Sequence, residues 1–260
     1  PSALQSQYDP SLGVFGSWQF GLFDQLFVTL GLRGQRDPNY GSQHKVDWTP
    51  TNGVAYAFEF GEVTLKLLGS YGRVTRSPTP GMTEQVMGYS ANLAGDDKQY
   101  VAQREAPYLR PQYSRGPQAG VELFWGTRGS FTVNHFSQRI SDQIQQNVVD
   151  SFPLFRPTGE RYGWAFQAQY QNIAEVKQRG WEGTGSLNLG MLSVQGTYSW
   201  ADSRIVKGNF GRFGAFGKYE GESFLGVPTH TGNLTLSYAH GATSITMTNN
   251  YVGSKPMHVA

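Results

Sequence analysis

Apolar and polar residues alternate singly along several stretches of this chain, the mark of β-strands whose two faces meet different surroundings. From Leu192 to Trp200, one face carries Leu192, Val194, Gly196, Tyr198 and Trp200, and the other Ser193, Gln195, Thr197 and Ser199. The stretch before it sets Trp181, Gly183, Gly185, Leu187 and Leu189 against Glu182, Thr184, Ser186 and Asn188. Leu234, Leu236 and Tyr238 oppose Asn233, Thr235 and Ser237, while Ile245, Met247 and Tyr251 oppose Ser244, Thr246, Thr248 and Asn250. Near the start, Leu26, Val28, Leu30 and Leu32 oppose Phe27, Thr29, Gly31 and Arg33. The pattern predicts about ten strands, near 12–22, 26–33, 52–60, 63–74, 118–126, 130–140, 168–189, 192–203, 231–239 and 244–252. Alternation alone suits both a soluble sandwich with an apolar core and a membrane barrel with an apolar outside.

The connections favour the barrel. Short turns fall near Asp24–Gln25, Gly61–Glu62, Gly126 to Gly129, Gly190–Met191 and Gly241–Ala242. Between them lie long polar connections at roughly 34–51, 75–117, 141–165 and 204–229. This short–long rhythm follows when one rim faces the periplasm with tight turns and the other carries extracellular loops. The large aromatics Trp18, Tyr71, Trp200, Tyr238 and Tyr251 sit near strand ends, with aliphatics nearer the middle. Tyr and Trp are favoured at that depth because their rings straddle the lipid–water boundary. Cross-strand aromatic pairing in a soluble sheet would place them similarly.

Composition narrows the class. Charged residues are 15% of the 260, against roughly 25% in soluble domains. Aromatics reach 14% and there are 33 glycines. Mean hydropathy is −0.44 and no run of eighteen apolar residues occurs, which excludes a transmembrane helix. The absence of cysteine excludes disulfides and cysteine-based metal or redox sites. A net charge of +2 gives no reason to expect a nucleic-acid partner. An exported barrel needs a leader, so both ends are expected to be cut from a longer precursor.

Tyr71-Gly72-Arg-Val-Thr-Arg76-Ser-Pro78-Thr79 closes the fourth predicted strand, where Pro78 cannot donate a ladder hydrogen bond. A strand ending in Tyr-Gly-x-x-x-Arg-x-Pro-Thr resembles that of TonB-dependent outer-membrane receptors. Further stretches resemble the same family in order. Leu109-Arg-Pro111-Gln112, followed by Gly120-Val-Glu122-Leu, is similar to the family's Leu-x-Pro-Glu and Gly-x-Glu pair, with Gln112 in place of the usual Glu. Asn172 with Gly180 and Glu182 is similar to the strand that follows, and Pro228, His230 and Asn233, then Asn250-Tyr251-Val-Gly253, to the segment after that.

The resemblance implies an all-β fold: an antiparallel transmembrane β-barrel in the bacterial outer membrane, with about ten strands of an expected 22-stranded barrel in this chain. It implies one partial barrel domain over residues 1–260, with the plug domain and the last strands lying outside it. It also implies import of a scarce, bulky nutrient (a siderophore, cobalamin, haem or a glycan) energised through the TonB complex. Outer-membrane lipid, the TonB complex and a small-molecule or glycan ligand are the partners implied. A passive porin, an outer-membrane enzyme and a soluble β-sandwich binding module are the alternatives.

Candidate chemistry is sparse. Glu182 and Arg33 lie on polar strand faces, where plug contact or plain solvation would hold them. The segment Asn209–Tyr219 repeats Phe-Gly, and Phe210, Arg212, Phe213, Phe216 and Tyr219 would suit ligand capture. The 75–117 connection carries Asp96, Asp97, Lys98, Tyr100, Arg104 and Glu105, whose mixed charges name no ligand. His44, His135, His230, His240 and His258 stand singly without metal-ligand spacing, and no nucleophile elbow, P-loop or dinucleotide fingerprint occurs. No catalytic residue, metal or cofactor is expected.

Overall fold

Backbone pairing in the computed structural model follows the alternation of the sequence and extends it. The structure describes residues 10–40, 46–92, 98–208, 220–224 and 226–255. Twelve strands appear among them. They are β1 (Leu12–Leu22), β2 (Leu26–Arg36), β3 (Asp47–Phe60), β4 (Val63–Arg76), β5 (Val86–Asn92) and β6 (Lys98–Gln103), with a one-turn helix α1 (Pro80–Thr83) between β4 and β5. Then come β7 (Gln112–Trp125), β8 (Gly129–Phe155), β9 (Arg161–Leu189), β10 (Leu192–Gly208), β11 (His230–His240) and β12 (Thr243–Val252).

Ten of these form one antiparallel path, β1-β2-β3-β4-β7-β8-β9-β10-β11-β12, each strand beside its chain neighbour apart from the step over β5 and β6. The sheet is an open barrel wall, and a second sheet that a sandwich would need is missing among the described residues. Gly61, Gly126, Gly190 and Gly241 hold positive φ at four of the tight turns, a conformation that costs glycine nothing and matches the twist of a two-residue hairpin.

The long connections are the main departure from expectation. The predicted loop 141–165 is mostly strand: β8 and β9 run 27 and 29 residues and leave only 156–160 between them. A tilted barrel strand needs about 9–11 residues to cross a bilayer, so this hairpin projects far beyond the membrane. Its upper part is rich in amides (Gln143, Gln145, Gln146, Asn147, Gln169, Gln171). Backbone pairing is indifferent to side-chain polarity, and the few apolar residues buried here, Ile144, Phe166 and Ala168, are too sparse among the amides to form an alternation. The 75–117 connection likewise contains β5 and β6, and β6 pairs in parallel with β9 from Lys98–Gly163 to Gln103–Ala168. Residues 220–224 fold back on β10, where Ile205 N–H donates to Glu222 (3.0 Å) and Phe224 N–H to Ser203 (2.8 Å).

Register settles the two faces. Val194 pairs with Leu187 and Leu236, and Leu236 with Met247. On the other side Leu187 pairs with Gly129, Gly129 with Trp125, and Trp125 with Val63. The apolar residues therefore share a single face from strand to strand. They are not covered: Phe131 is 55% exposed, Trp181 50% and Met247 62%. An apolar surface so extensive needs a non-aqueous medium. Buried apolar residues gather instead beyond the membrane span, where Ala106, Leu109 and Ile144 pack with Met82 and Tyr170. Val176 and Ile205, opposite one another on β9 and β10, are also buried, and the Ile205 backbone is hydrogen-bonded to Gly221 and Glu222.

Candidate functional site

Recesses open along the polar face of β1–β4 and β7–β8. Two neighbouring recesses lie on it, sharing Thr51, Arg73 and Val74. The upper, about 480 Å³, is lined by Phe15, Arg33, Gln35, Asp47 and Thr49; the lower, about 370 Å³, by Ser70, Ser114, Gln118 and Gln138. Hydroxyls and amides line the lower recess together with Arg73 and Arg115, and Ser114 donates to Gln138 at 3.1 Å.

Charge concentrates in the upper recess. β3–β4 pairing stops at Thr51–Gly72, and Asp47 fills the splayed gap above it. Its carboxylate is 3% exposed, takes Arg73 Nη2 at 2.9 Å and accepts a hydrogen bond from the Thr75 hydroxyl. Tyr113 lies under the Arg73 guanidinium, 3.8 Å from ring centroid to Cζ. In the neighbouring loop Asp37 accepts from Ser77 at 2.7 Å, and burial pushes the Tyr40 phenol above its usual range. Arg33 and Asp47 stand on the polar face, and Arg73 and Thr75, which share the face of Tyr71 by parity, reach Asp47 through the splayed gap and close the rim there. It can hold a polar or anionic ligand, and no nucleophile–base pair lies within it.

The structure places the motif residues at strand ends, close approaches between strands and backbone contacts. β4 ends at Arg76, opposite Gln112, and Pro78 is buried just beyond. Gly72 lies against Thr51, and Tyr71 is exposed on the apolar face in the same cross-strand row as Trp18. Asn172 accepts from Arg110 N–H at 2.8 Å, while its Nδ2 donates to the Arg110 and Asp142 carbonyls, both at 2.8 Å. It thus pins the Leu109–Pro111 segment, with Pro111 fully buried, to the irregular point of β8 where Asp142 has φ of +56°. Two of the motif segments are therefore one latch.

Gly120 leaves room for Asn134, and Gly180 for the Phe136 ring and the Trp200 carbonyl. Glu122 lies between Lys66 and Thr132, and Glu182 between Asn134 and Ser199, all on the polar face. Pro228 precedes β11, His230 Nδ1 meets the Tyr198 hydroxyl at 2.7 Å, and Asn233 pairs with Thr197. Of the aromatic positions, Trp200 and Tyr251 fall toward the long-loop end, like Tyr71 and Trp18, and Tyr238 toward the tight turns. Phe210, Arg212, Phe213, Phe216 and Tyr219 lie outside the described residues, as do Asp96 and Asp97. Arg104 N–H donates to Ala168 and the Glu105 carbonyl accepts from Gln169, so both serve the packing of the upper hairpin.

The Asp47–Arg73–Thr75 group was not singled out from sequence. Its members are 26 and 28 residues apart, and no local pattern joins them. Among the described residues no group of acidic and histidine side chains could hold a metal ion.

Asn172→Ala is expected to free the 77–111 segment while the membrane span stays intact. Three hydrogen bonds at about 1 kcal/mol each bound the loss at about 3 kcal/mol. Limited proteolysis of whole cells would read it as faster cleavage within 77–111; an unchanged rate would refute the latch.

A family model described as TonB dependent receptor-like, beta-barrel matches residues 3–256. No curated protein matches the chain. Among solved structures, the siderophore receptor PirA from Acinetobacter baumannii superposes with TM-score 0.64 at 16% identity, over 92% of this chain and 32% of that one. The RagAB peptide transporter gives TM-score 0.70 at 15% identity, over 93% and 33%. A variant of the ferric enterobactin receptor PfeA from Pseudomonas aeruginosa gives 0.66 at 17%, over 94% and 32%. At such identities the likeness is one of fold, and the chain spans about a third of the length of these three structures.

Proposed function

We propose, for a chain that belongs to the TonB dependent receptor-like β-barrel family, a place in the outer-membrane wall of an active importer of a scarce, bulky nutrient. The observation that carries this reading is a single sheet with an exposed apolar face and, behind it, a polar face bearing the Arg33–Asp47–Arg73 rim. Such a wall belongs between lipid and a wet lumen. A siderophore or a peptide fits the rim chemistry, since both offer oxygen acceptors to Arg33, Arg73 and the hydroxyl-lined recess below. Structural relatives named as a siderophore receptor and a peptide transporter support that ligand class. Energy coupling through TonB would act through segments other than this wall.

Uptake of labelled ferric siderophore or peptide by cells carrying the full-length receptor tests the proposal. Accumulation should depend on the receptor and vanish when TonB is deleted, while surface binding persists. Accumulation that survives loss of TonB would make the barrel a passive porin. Equal uptake of every candidate with and without the receptor would end the import reading altogether.

A further inference from the structure

Beyond the Trp18–Tyr71 row, on the long-loop side, the wall divides. β3 pairs with β2 as far as Asp47, and β4 with β7 as far as Arg76, but pairing between β3 and β4 ends at Thr51–Gly72. Asp47 to Pro50 and Arg73 to Arg76 therefore face one another without a ladder. The cause lies in Pro50. Ala57 N–H donates to Gln25 on the β2 side, so by the period of two the odd residues of β3 face β2 and the even ones face β4. Pro50 is next in register after Thr51–Gly72, opposite Arg73, and it has no N–H to give the Arg73 carbonyl.

Side chains close the division. Asp47 is wedged into it, taking Arg73 Nη2 at 2.9 Å and the Thr75 hydroxyl, and beyond it Asp37 accepts from Ser77 at 2.7 Å. The recess of about 480 Å³ draws its lining there from both faces of the wall. Phe15, Arg33 and Thr49 come from the polar face, Arg73 and Thr75 from the other. The Asp47–Arg73 clasp is thus the partition between the recess and the outer surface.

The clasp is incompletely bonded. Arg73 meets Asp47 through Nη2, while its Nε is buried without an acceptor. A guanidinium binds an oxyanion most strongly through two parallel N–H donors, and the Asp47 pair uses one. An oxyanion that took both would satisfy a donor that the closed wall leaves empty. Asp47 would keep the Thr75 hydroxyl and gain water as it swung free, so its own desolvation would be relieved. Tyr113 holds the face of the guanidinium, 3.8 Å from ring centroid to Cζ, which leaves its edge donors as the exchangeable ones. Arg33, with no carboxylate ion pair among the described residues, lines the same recess and would draw an anion toward it.

We propose that the β3–β4 division is a clasp released by the nutrient itself. An oxyanion presenting two oxygens side by side takes Arg73 through Nε and Nη2 and displaces Asp47. The β1–β3 leaf then parts from the leaf that begins with β4, above Thr51–Gly72. Arg73 is a ligand-binding residue in this scheme, and Asp47 a positioning residue that holds it until the ligand arrives. Parting extends the recess toward the outer surface, so that it takes a nutrient bulkier than the closed site. Pro50 makes the motion reversible, because the leaves separate by exchanging one ion pair and break no backbone ladder. The inference rests on the import reading given above.

Double electron–electron resonance on the full-length receptor in lipid nanodiscs reads the separation of the two leaves. Spin labels go on Arg36→Cys and Arg115→Cys, which are exposed and outside the clasp, in a stretch of wall with no cysteine of its own. Inorganic phosphate is the probe, against chloride at equal ionic strength. Phosphate should widen the labelled distance by roughly 5 Å, about one strand spacing. Asp47→Asn should show the wide state without phosphate, and Arg73→Gln should not respond to it. Pro50→Ala, which supplies the missing N–H, should stay narrow throughout. Calorimetry should find phosphate bound about fivefold more tightly by Asp47→Asn, since no ion pair has to be broken first; if Asp47 only scaffolded the recess, binding would weaken. One distance in all four proteins, or weaker phosphate binding by Asp47→Asn, would overturn the proposal. A receptor that imports normally with the leaves shut sinks this inference alone. Leaves that part in a receptor importing nothing sink the functional reading and leave the clasp standing.

Discussion

Leu234→Arg is expected to abolish the assembled barrel, while Thr235→Arg, one residue along, leaves it standing. Leu234 is midway along β11 on the apolar face, opposite Gly196 and Asn249, and is 45% exposed. Thr235 points to the polar face, where its hydroxyl lies 3.3 Å from that of Thr248. A charged side chain near the bilayer midplane costs about 2–4 kcal/mol on the lipid side of a barrel, and the leucine's own burial in lipid is lost with it. On the wet side the guanidinium keeps its hydration and the cost falls close to zero. The folded fraction in outer membranes, read from heat-modifiable electrophoresis and urea titration, should separate the two variants by at least tenfold. Equal loss in both would mean that the faces have been assigned the wrong way round or that the wall is not in lipid.

The second large effect is at Gly180. Gly180→Ala places a methyl group on the Trp200 carbonyl oxygen and 2.7 Å from a Phe136 ring carbon. Phe136 could swing aside, but the carbonyl belongs to the β9–β10 ladder and cannot. Overpacking of this kind costs about 1–3 kcal/mol, and here the strain passes directly into backbone pairing between the longest strand and its neighbour. Gly183→Ala is the matched control. It lies three residues away on the same strand, its added Cβ would come no closer than 3.9 Å to anything, and removing a glycine from a strand interior stabilises by about 0.5–1 kcal/mol. The urea midpoint should fall for Gly180→Ala and hold or rise for Gly183→Ala. A fall of equal size in both would show that glycine is needed along this strand for flexibility, with no role for the Phe136–Trp200 contact.

These two experiments probe features of unlike legibility. That Leu234 and Thr235 face opposite ways is written in the local alternation, since a strand repeats every two residues whatever it pairs with. That Gly180 is crowded while Gly183 is open is not. Both are glycines in the interior of one strand, and the register that brings Phe136 and Trp200 alongside Gly180 is what makes it crowded. The motif residues fall between these cases. Asn172 and the Leu109–Pro111 stretch were each recognisable as a pattern, but that one clamps the backbone of the other depends on the kink at Asp142.

The upper hairpin shows the same limit from the other side. Its amide-rich strands read as loops because amides such as Gln143, Gln145, Gln146 and Gln169 outnumber the few apolar residues that pack there, Ile144, Phe166 and Ala168, and leave no sustained apolar period. The pairing of β8 with β9, and of β9 with β6 in parallel, is carried by backbone hydrogen bonds that leave no trace in composition.

The chain's own residue order determined the ten strands of the wall where they cross the membrane, their tight turns, the face that meets lipid and the family to which the wall belongs. Each of these depends on neighbours within a few residues, or on short motifs in a set order. Only the tertiary structure decided which distant residues stand side by side. It joined Asp47 to Arg73 and Thr75 in the rim, and it set Pro50 where the β3–β4 ladder ends. The physical reason is register: a shift of one residue between strands would turn Asp47 to the opposite face, and nothing local to Asp47 says which register the sheet adopts.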